Sequence, residues 1–224
     1  MKHFAIIVAG GSGERMKSTV PKQFLEINGT PVLMLSITAF VRFNPDIKII
    51  VALPEEQIAY WKELCHKYVF SLKHEIVAGG KTRYHSVRNA LTKIDSEGVV
   101  AIHDGVRPLV NQQTIQRVFE TATLKGNAIP YIDIADSVRQ VNKDKNHPVD
   151  RTKYKLIQTP QAFESKIIRK AYEQPFDPLF TDDASVAEKA KQKINLVAGN
   201  PENIKITTRV DLMMANALSG YLSE

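Results

Sequence analysis

The sequence has a single cysteine, no long apolar run and no histidine motif, and each shortage excludes a class of protein. Cys65 alone cannot form an internal disulfide framework or a multi-cysteine zinc site. The longest apolar runs, Phe4–Ala9 and Ile49–Leu53, are far shorter than the roughly 20 residues of a membrane-spanning helix. The first run lacks the basic start and the cleavage site of a signal peptide. We therefore expect a soluble, cytoplasmic protein without a membrane partner.

The histidines and the charges narrow the chemistry further. The six histidines form no HExxH motif and no close pair, which disfavours a histidine metal site. Lysine and arginine number 30 against 24 acidic residues, which gives a net charge of +6. The aromatic residues do not alternate with the basic ones as they do in single-strand binding platforms. This pattern favours compact anions such as phosphorylated small molecules over nucleic acid.

The order of apolar segments predicts an α/β fold. Runs rich in β-branched residues alternate with segments of helical period, which indicates a Rossmann-like, mostly parallel sheet with helices on both faces. The length favours a single domain over residues 1–224. The predicted strands are Phe4–Ala9, Ile47–Leu53, Glu75–Val77, Val99–His103 and Ala128–Ile132. The predicted helices are Val32–Phe43, Glu55–Val69, Thr82–Ile94 and Thr208–Leu222; in the last, one apolar face holds Val210, Met213, Met214, Ala217, Leu218 and Tyr221.

Residues 134–156 break this alternation. The stretch is polar, with short alternating apolar positions around an Asn-Lys-Asp-Lys-Asn turn, which predicts a β-hairpin arm protruding from the body. An isolated hairpin is only marginally stable in water. We therefore expect the arm to lie against something else, most simply a second subunit.

The first predicted strand runs into AGGSGERMKSTVPKQF, the strongest candidate for phosphate binding. Gly10, Gly11 and Gly13 follow a buried strand, so backbone N–H groups there can approach phosphate oxygens closely. The segment lacks the third glycine of a dinucleotide fingerprint and the Gly-Lys-Ser/Thr of a Walker loop. Arg15 and Lys22 flank the glycines instead, which suits a polyphosphate whose charge shifts in a transition state. A tight turn with solvated basic side chains is the alternative.

Two further motifs follow predicted strands and so fall on the same sheet edge, where open α/β sheets bind ligands. Asp104 and Arg107 belong to HDGVRP, where a carboxylate can hold a metal or a sugar hydroxyl and an arginine can hold phosphate. Gly80 precedes a predicted helix that carries Arg83 and Ser86 near its start, a position that attracts anions or polar ring edges. An Asp–Arg pair that closes a turn and an ordinary capped helix are the alternatives.

Three polar clusters lie late in the chain. Arg151 closes the arm and precedes Gln-Thr-Pro-Gln, which contains Thr159. The segment that begins at Thr181, TDDAS, is typical of a helix start with an N-cap and acidic residues in the first turn. Residues 203–207 predict a short strand carrying Lys205, and lysines on strands are usually solvated.

These motifs, in this order, resemble those of the sugar-phosphate and polyol-phosphate cytidylyltransferases, and most nearly those of the methylerythritol-phosphate family. The resemblance runs the length of the chain through AGGSGERM, PKQF, GG with R-x-x-S-V, HDGVRP, DR before QTPQ, TDDAS and NIKIT. It implies a nucleotidyltransferase that joins CTP and 2-C-methyl-D-erythritol 4-phosphate in non-mevalonate isoprenoid precursor synthesis. The products would be CDP-methylerythritol and pyrophosphate.

The resemblance also implies cofactors, partners and residue roles. Mg²⁺ would bind mainly to the CTP phosphates, with Asp104 as a candidate protein ligand. The protein would be a homodimer whose arms reach into the partner's site. The catalytic residues would be Arg15, Lys22, Arg151 and Lys205. CTP would bind to Ala9, Gly10, Gly11, Gly13, Gly80, Arg83 and Ser86, and the acceptor to Asp104, Arg107, Ser137, Thr159 and Thr181, with Ser137 and Arg151 supplied by the arm.

Other functions remain open on the sequence alone. Gly105-Val106 replaces a pair often seen as Ala-Ala, and Val106 also occurs in the related ribitol 5-phosphate enzymes, which makes that acceptor the alternative. A non-catalytic nucleotide-binding module and a basic RNA-binding domain are the other classes. No catalytic histidine is needed, because a phosphate monoester is already an anionic nucleophile near neutral pH.

Overall fold

The chain folds into a central mixed sheet covered by helices on both faces, as the alternating pattern predicts. The computed structural model describes residues 1–11 and 20–221. The strands are β1 (Lys2–Val8), β2 (Glu26–Ile27), β3 (Thr30–Pro31), β4 (Lys48–Leu53), β5 (Glu75–Ala78), β6 (Gly98–Asp104), β7 (Asn127–Asp133), β8 (Arg139–Asn142), β9 (Lys145–Pro148), β10 (Lys155–Ile157), β11 (Gln161–Glu164) and β12 (Leu196–Ala198). The α-helices are α1 (Val32–Phe43), α2 (Glu55–Lys67), α3 (Arg83–Leu91), α4 (Gln112–Lys125), α5 (Ser165–Ala171), α6 (Asp183–Lys189) and α7 (Arg209–Tyr221).

The large sheet has the strand order β10-β7-β11-β6-β1-β4-β5, with β12 paired to β7. Strand β1 is parallel to both β4 and β6, and β4 is parallel to β5. Strand β11, which the sequence analysis did not predict, runs antiparallel between β6 and β7. Because of that reversed direction, the residues that enter β11 lie beside the carboxyl end of β6.

The central strands are buried on both faces, which explains their near-continuous apolar sequences. All seven residues of β6 are buried. On one face the sheet packs against α1, α2 and α4 around Phe40, Trp61 and Phe119. On the other face it packs against α3, α5 and α6 around Tyr84 and Phe163. The predicted helices on both faces are confirmed.

Helix starts are fixed by local capping, largely where the sequence predicts them. The Thr82 hydroxyl accepts a hydrogen bond from the backbone N–H of His85 and caps α3. Asp182 caps α6 in a reciprocal capping box with Ser185. Thr208 and Asp211 exchange hydrogen bonds in the same manner at the start of α7. These caps confirm the predicted starts within TDDAS and at Thr208.

Two predictions near the carboxyl terminus need correction. Residues 203–207 do not form a strand: the segment runs alongside the body, and Ile206 donates its N–H to the Val106 carbonyl. In α7 the apolar face is divided, because Ala215 is buried whereas Met213 and Met214 are exposed. The helix has two apolar stripes, and the one that includes Leu212, Ala215 and Leu218 packs against the body.

The predicted arm exists as a hairpin with narrower bounds than residues 134–156. Strands β8 and β9 pair with each other, and all eight of their residues are exposed. The end of the predicted stretch already belongs to the body, because β10 pairs with β7 in the main sheet. Among the helices that the structure describes, none combines the length and apolar character needed to cross a membrane.

Candidate active site

A cleft of about 250 Å³ opens at the carboxyl ends of β1 and β6. Val8 and Asp104 are register partners there, and Gly105 donates its N–H to the Val8 carbonyl. This is the sheet edge at which open α/β folds bind ligands. The cleft is lined by Val8, Ala9, Gly10, Gly11, Lys22, Gly80, Lys81, Thr82, Arg83, Ser86, Asp104, Val106 and Lys205.

The structure brings most of the predicted CTP-binding residues into this cleft. The predicted lining residues are Ala9, Gly10, Gly11, Lys22, Gly80, Arg83, Ser86, Asp104 and Lys205. Gly13 and Arg15 lie outside the described residues. Lys81 and Thr82 also line the cleft and were missed; their position between the glycine pair and Arg83, directly after a strand, is the signal that could have identified them.

Gly11 and Lys22 form a compact pair on the cleft wall. A Cβ atom at Gly11 would lie 2.8 Å from Cε of Lys22, so a side chain there would force the lysine to move. Lys22 begins a 3-10 helix after Pro21, and the next two residues, Gln23 and Phe24, are buried. The backbone of Lys22 is thus anchored in the body, and its side chain lies beside the glycine backbone.

The start of α3 forms a second rigid wall. Ser86 accepts a hydrogen bond from the N–H of Gly80 at 3.0 Å and donates to the carbonyl of Thr82 at 3.1 Å. A Cβ atom at Gly80 would lie 2.4 Å from Cβ of His85, which excludes other residues at that position without a backbone shift. The buried Ser86 hydroxyl is therefore fixed in direction at the rim of the cleft.

Asp104 joins three cationic side chains. Its Oδ1 accepts from Nε of Arg83 at 3.3 Å, and its Oδ2 lies 3.3 Å from Nε of Arg107 and 3.0 Å from Nζ of Lys205. Burial alone would raise the pKa of Asp104, but Arg83, Lys205 and Arg107 outweigh burial and hold that pKa well below its usual range. The carboxylate is therefore ionised and occupied by cations.

Arg83 is held from its other side by Asp183, a contact that sequence reasoning missed. The two terminal nitrogens of Arg83 donate to the two carboxylate oxygens of Asp183 at 2.9 and 2.7 Å. Burial opposes the charge of Arg83, but Asp183 and then Asp104 outweigh it and raise the pKa of Arg83 further. Asp183 is fully buried and also accepts from the hydroxyl of Tyr172 at 2.6 Å.

A buried hydrogen-bond chain supports Asp104 from below. The N–H of Asp104 donates to Oγ1 of Thr159, which lies 3.0 Å from Nδ1 of His103. Nε2 of His103 lies 3.0 Å from the carbonyl of Arg107 and must donate to it, so Nδ1 accepts the threonine proton. Burial lowers the pKa of His103 to about 4, which keeps the imidazole neutral.

The structure places the other predicted site residues outside the cleft lining. Thr159 is buried beneath Asp104, and Arg107 is tied to Asp104 and to the Asn203 carbonyl. Thr181 is exposed just before α6. Ser137 and Arg151 lie at the base of the arm, exposed in the single chain, and Arg151 contacts the Ala135 carbonyl.

The donor set of the cleft does not fit a metal ion held by protein ligands. Within residues 1–11 and 20–221, no three His, Cys, Asp or Glu side chains lie close enough to form a metal site. Asp104 is the carboxylate on the cleft wall, and both of its oxygens face cations. The sequence-based suggestion that Asp104 binds Mg²⁺ therefore finds no support in this geometry.

The fold and the cleft define a class of enzyme. Glycine backbone and lysines line a pocket at the end of a Rossmann-like sheet, and the histidine next to it is neutral and buried. Such a site can orient phosphates and stabilise negative charge. These are the requirements of a nucleotidyltransferase.

Comparison with known proteins identifies the family. The model of the 2-C-methyl-D-erythritol 4-phosphate cytidylyltransferase family, IspD, matches residues 3–220. The chain therefore belongs to this family, which confirms the resemblance seen in the motifs. It is 51% identical to the enzyme of that name from Bacteroides fragilis over 96% of this chain and 98% of the relative. It is 49% identical to the one from Phocaeicola vulgatus over 97% of this chain and the whole relative.

Solved structures agree with the family assignment. The 4-diphosphocytidyl-2C-methyl-D-erythritol synthase of Anaerococcus prevotii is similar with a TM-score of 0.82 and 30% identity, over 100% of this chain and 97% of that one. The 2-C-methyl-D-erythritol 4-phosphate cytidylyltransferase of Thermus thermophilus is similar with a TM-score of 0.81 and 28% identity, over 98% of this chain and 100% of that one. The fold is thus shared from end to end.

Proposed function

We propose that the cleft catalyses cytidylyl transfer from CTP to 2-C-methyl-D-erythritol 4-phosphate by direct in-line attack. An acceptor phosphate oxygen bonds to the α-phosphorus of CTP while the bond from that phosphorus to the bridging oxygen of the β-phosphate breaks. The products are CDP-methylerythritol and pyrophosphate, and no proton has to move because the nucleophile is already an anion. The juxtaposition of Gly11, Lys22 and Lys205 in one cleft is the observation that supports this mechanism.

Lys22 is proposed to stabilise the charge that develops on the α-phosphate during cytidylyl transfer. Its Nζ would lie 3.2 Å from a Cβ atom built at Gly11, so the ammonium sits against the backbone that would receive the phosphates. A donor fixed in place before the reaction costs no reorganisation when charge develops. Arg15 is proposed for the same task on the basis of the family motif.

The base and the acceptor are proposed to bind at different walls of the cleft. The fixed Ser86 hydroxyl and the Gly80 backbone are suited to hydrogen bonding with the polar edge of cytosine. Lys205 is suited to the acceptor phosphate, because Asp104 holds its ammonium group at 3.0 Å while its side chain is 41% exposed. Mg²⁺ is proposed to enter bound to the triphosphate, consistent with its preference for phosphate oxygens and water.

A homodimer is proposed to complete the acceptor site. Ser137 and Arg151 are exposed at the base of the arm in the single chain and are not among the residues that line its own cleft. Near the base of the arm, Tyr154, Leu156 and Ile157 are 49%, 50% and 39% exposed, an apolar surface that a second subunit would cover. The arm would then deliver both polar side chains to the partner's cleft.

The reaction is tested by pyrophosphate release with CTP and Mg²⁺, comparing 2-C-methyl-D-erythritol 4-phosphate with ribitol 5-phosphate. We expect release with the former alone, in line with the names of the relatives. The Lys22→Ala variant should lose about 10²- to 10³-fold in kcat, as expected when one preorganised donor is removed. Lys62→Ala, an exposed lysine of α2, is the matched control and should keep full activity. Equal rates in both variants would refute the role of Lys22.

The dimer is tested by mixing two inactive subunits. Arg151→Ala and Lys22→Ala chains are co-expressed, so that each mixed dimer contains one site with both side chains intact. Random pairing in a two-fold dimer should restore about a quarter of the wild-type activity. No restoration, together with a stable and fully active monomer in sedimentation experiments, would overturn the proposal that the arm acts across the dimer.

A further inference from the structure

We infer that Asp183 is a positioning residue for Lys205, although the two side chains do not touch. Asp183 occupies the terminal edge of the Arg83 guanidinium, which leaves the Asp104 carboxylate available to hold the Lys205 ammonium. The inference rests on the proposed function, because its consequence is the placement of the lysine that would receive the acceptor phosphate.

The first support is the geometry of the two carboxylates on Arg83. Asp183 binds both terminal nitrogens, whereas Asp104 receives only Nε, at 3.3 Å. A paired, parallel contact of this kind is the strongest arrangement available to arginine. It therefore determines the orientation of the guanidinium, and the contact between Nε and Asp104 is the weaker of the two.

The second support is the rigidity with which Asp183 is held. The residue is fully buried, and Tyr172 donates its hydroxyl to Oδ1 at 2.6 Å. The backbone around it is fixed as well: the N–H of Ala184 donates to Oε1 of Gln161, and Nε2 of Gln161 donates to Asp182. The carboxylate thus has a fixed position before any ligand arrives.

The third support is the balance of charge. The single carboxylate of Asp104 faces three cations, Arg83, Arg107 and Lys205. Asp183 neutralises the charge of Arg83, and Arg107 also donates to the Asn203 carbonyl at 2.8 Å. Without Asp183, Arg83 would turn its terminal edge towards Asp104 and compete with Lys205 for Oδ2. The lysine would then lose the contact that fixes its ammonium group.

Stability alone does not account for this arrangement. A buried ion pair usually gains little over well-packed apolar residues of the same volume, because both charges must leave water. Here the pair stands directly behind a cleft wall, and Arg83 is itself a lining residue. We therefore assign the pair to the placement of charge in the cleft.

The test is steady-state kinetics of Asp183→Asn, with CTP and the acceptor varied separately. The variant keeps the shape of the side chain and removes its charge. We expect kcat/KM for the acceptor to fall on the order of 10²-fold, as for a reacting group displaced by about 1 Å. The KM for CTP should change less than kcat/KM for the acceptor, because the glycine backbone and Ser86 are untouched and only Arg83 moves among the residues assigned to CTP. Equal losses for both substrates would overturn the inference.

Tyr84→Phe is the matched control. It removes the buried hydrogen bond from the Tyr84 hydroxyl to the Tyr172 carbonyl but leaves the Arg83–Asp183 contact and the Tyr172 hydroxyl in place, so acceptor kinetics should stay within about threefold. Urea unfolding of both variants separates a loss of folded protein from a loss of function. If Tyr84→Phe reduces kcat/KM as much as Asp183→Asn does, burial near the site explains the effect and the inference fails.

A double variant keeps the test decisive if Asp183→Asn does not fold. Arg83→Met combined with Asp183→Leu replaces the ion pair by apolar residues of similar shape, a change that proteins often tolerate. Asp104 would keep Lys205, so titration calorimetry with the acceptor alone should give affinity within about threefold of wild type. A loss as large as in Lys205→Met would refute the inference. If the wild type itself showed no turnover, that result would instead count against the proposed function.

Discussion

The buried histidine beneath the cleft makes a specific prediction about stability and pH. His103 is completely buried, with both ring nitrogens in hydrogen bonds, and burial lowers its pKa from 6.5 to about 4. In the unfolded chain the same group titrates near 6.5. Between these two values the unfolded state binds more protons than the native state, so stability falls as the pH is lowered.

The size of the effect follows from the two pKa values. Their difference corresponds to about 3 kcal/mol of unfolding free energy, fully present above pH 6.5 and lost as the pH falls through 4. That is a substantial part of the 5–15 kcal/mol typical of a folded domain. Asp104 does not obscure this window, because its contribution is lost only at lower pH, below its ordinary value of 3.8.

The assay is urea unfolding of the wild type and of His103→Gln at several pH values from 7.5 to 4. Glutamine can still donate to the Arg107 carbonyl but does not titrate. His3, whose pKa is also lowered by burial, is present in both proteins and cancels in the comparison. We expect the stability difference between wild type and variant to shrink by about 3 kcal/mol over the range. A constant difference would refute the assignment of His103 as a buried, neutral group.

Three further predictions concern packing and capping. Phe163→Ala should lower the unfolding free energy by about 3–5 kcal/mol in denaturant titrations, because this side chain of β11 is fully buried in the core that α3, α5 and α6 cover; a loss below about 1 kcal/mol would show that the core is not packed as described. Asp182→Ala should cost about 1–2 kcal/mol through loss of the α6 cap, and an unchanged Tm would contradict this. Gly98→Ala should destabilise the sheet, because its Cβ would lie 2.3 Å from the Lys2 carbonyl. Hydrogen exchange should then be faster at the backbone amides of β1; normal protection there would show that the strands can separate without cost.

The body of the fold is largely predictable from the sequence, for a simple physical reason. Strands β1, β4 and β6 are covered on both faces along most of their length, so most of their positions are apolar and the runs are easy to recognise. Helix α1 has the predicted bounds because its surface is apolar almost all round. Strand β11 was missed because it is short and contains polar residues whose partners lie elsewhere in the chain, such as Gln161 with Asp182.

Helix α7 shows the limit of periodicity as an argument. Its apolar residues are numerous enough to form two overlapping stripes, and periodicity does not choose between them. The packing partners decide: Ala215 fits against the small cluster that contains Ile27 and Ile206, while Met213 stays exposed. Similarly, residues 203–207 have a strand-like sequence, but Ile206 pairs with the carbonyl of Val106, which lies in the turn after β6 and not in a strand.

The candidate site was predictable wherever its residues follow strands. Glycines after β1 and Asp104 after β6 share an edge because parallel strands end together. Asp183 could not be identified in this way, because an acidic residue in the first turn of a helix already has a local explanation. Its partner Arg83 is 100 residues away along the chain, and the contact depends on how α3 and α6 pack on the same face of the sheet.

The position of Lys205 has a consequence for the order in which the parts of the cleft are synthesised. The cleft begins with residues 8–11, yet the ammonium group that Asp104 holds belongs to a segment that is synthesised much later. A chain emerging from the ribosome at about 5–20 residues per second can therefore form β1, β4 and β6 before Lys205 exists. Until then Asp104 has only Arg83 and Arg107 as partners among the three cations described above. A nascent chain that has not reached Lys205 would thus present the glycine wall of the cleft without the lysine that we propose for the acceptor phosphate, so the two halves of the pocket would arise one after the other.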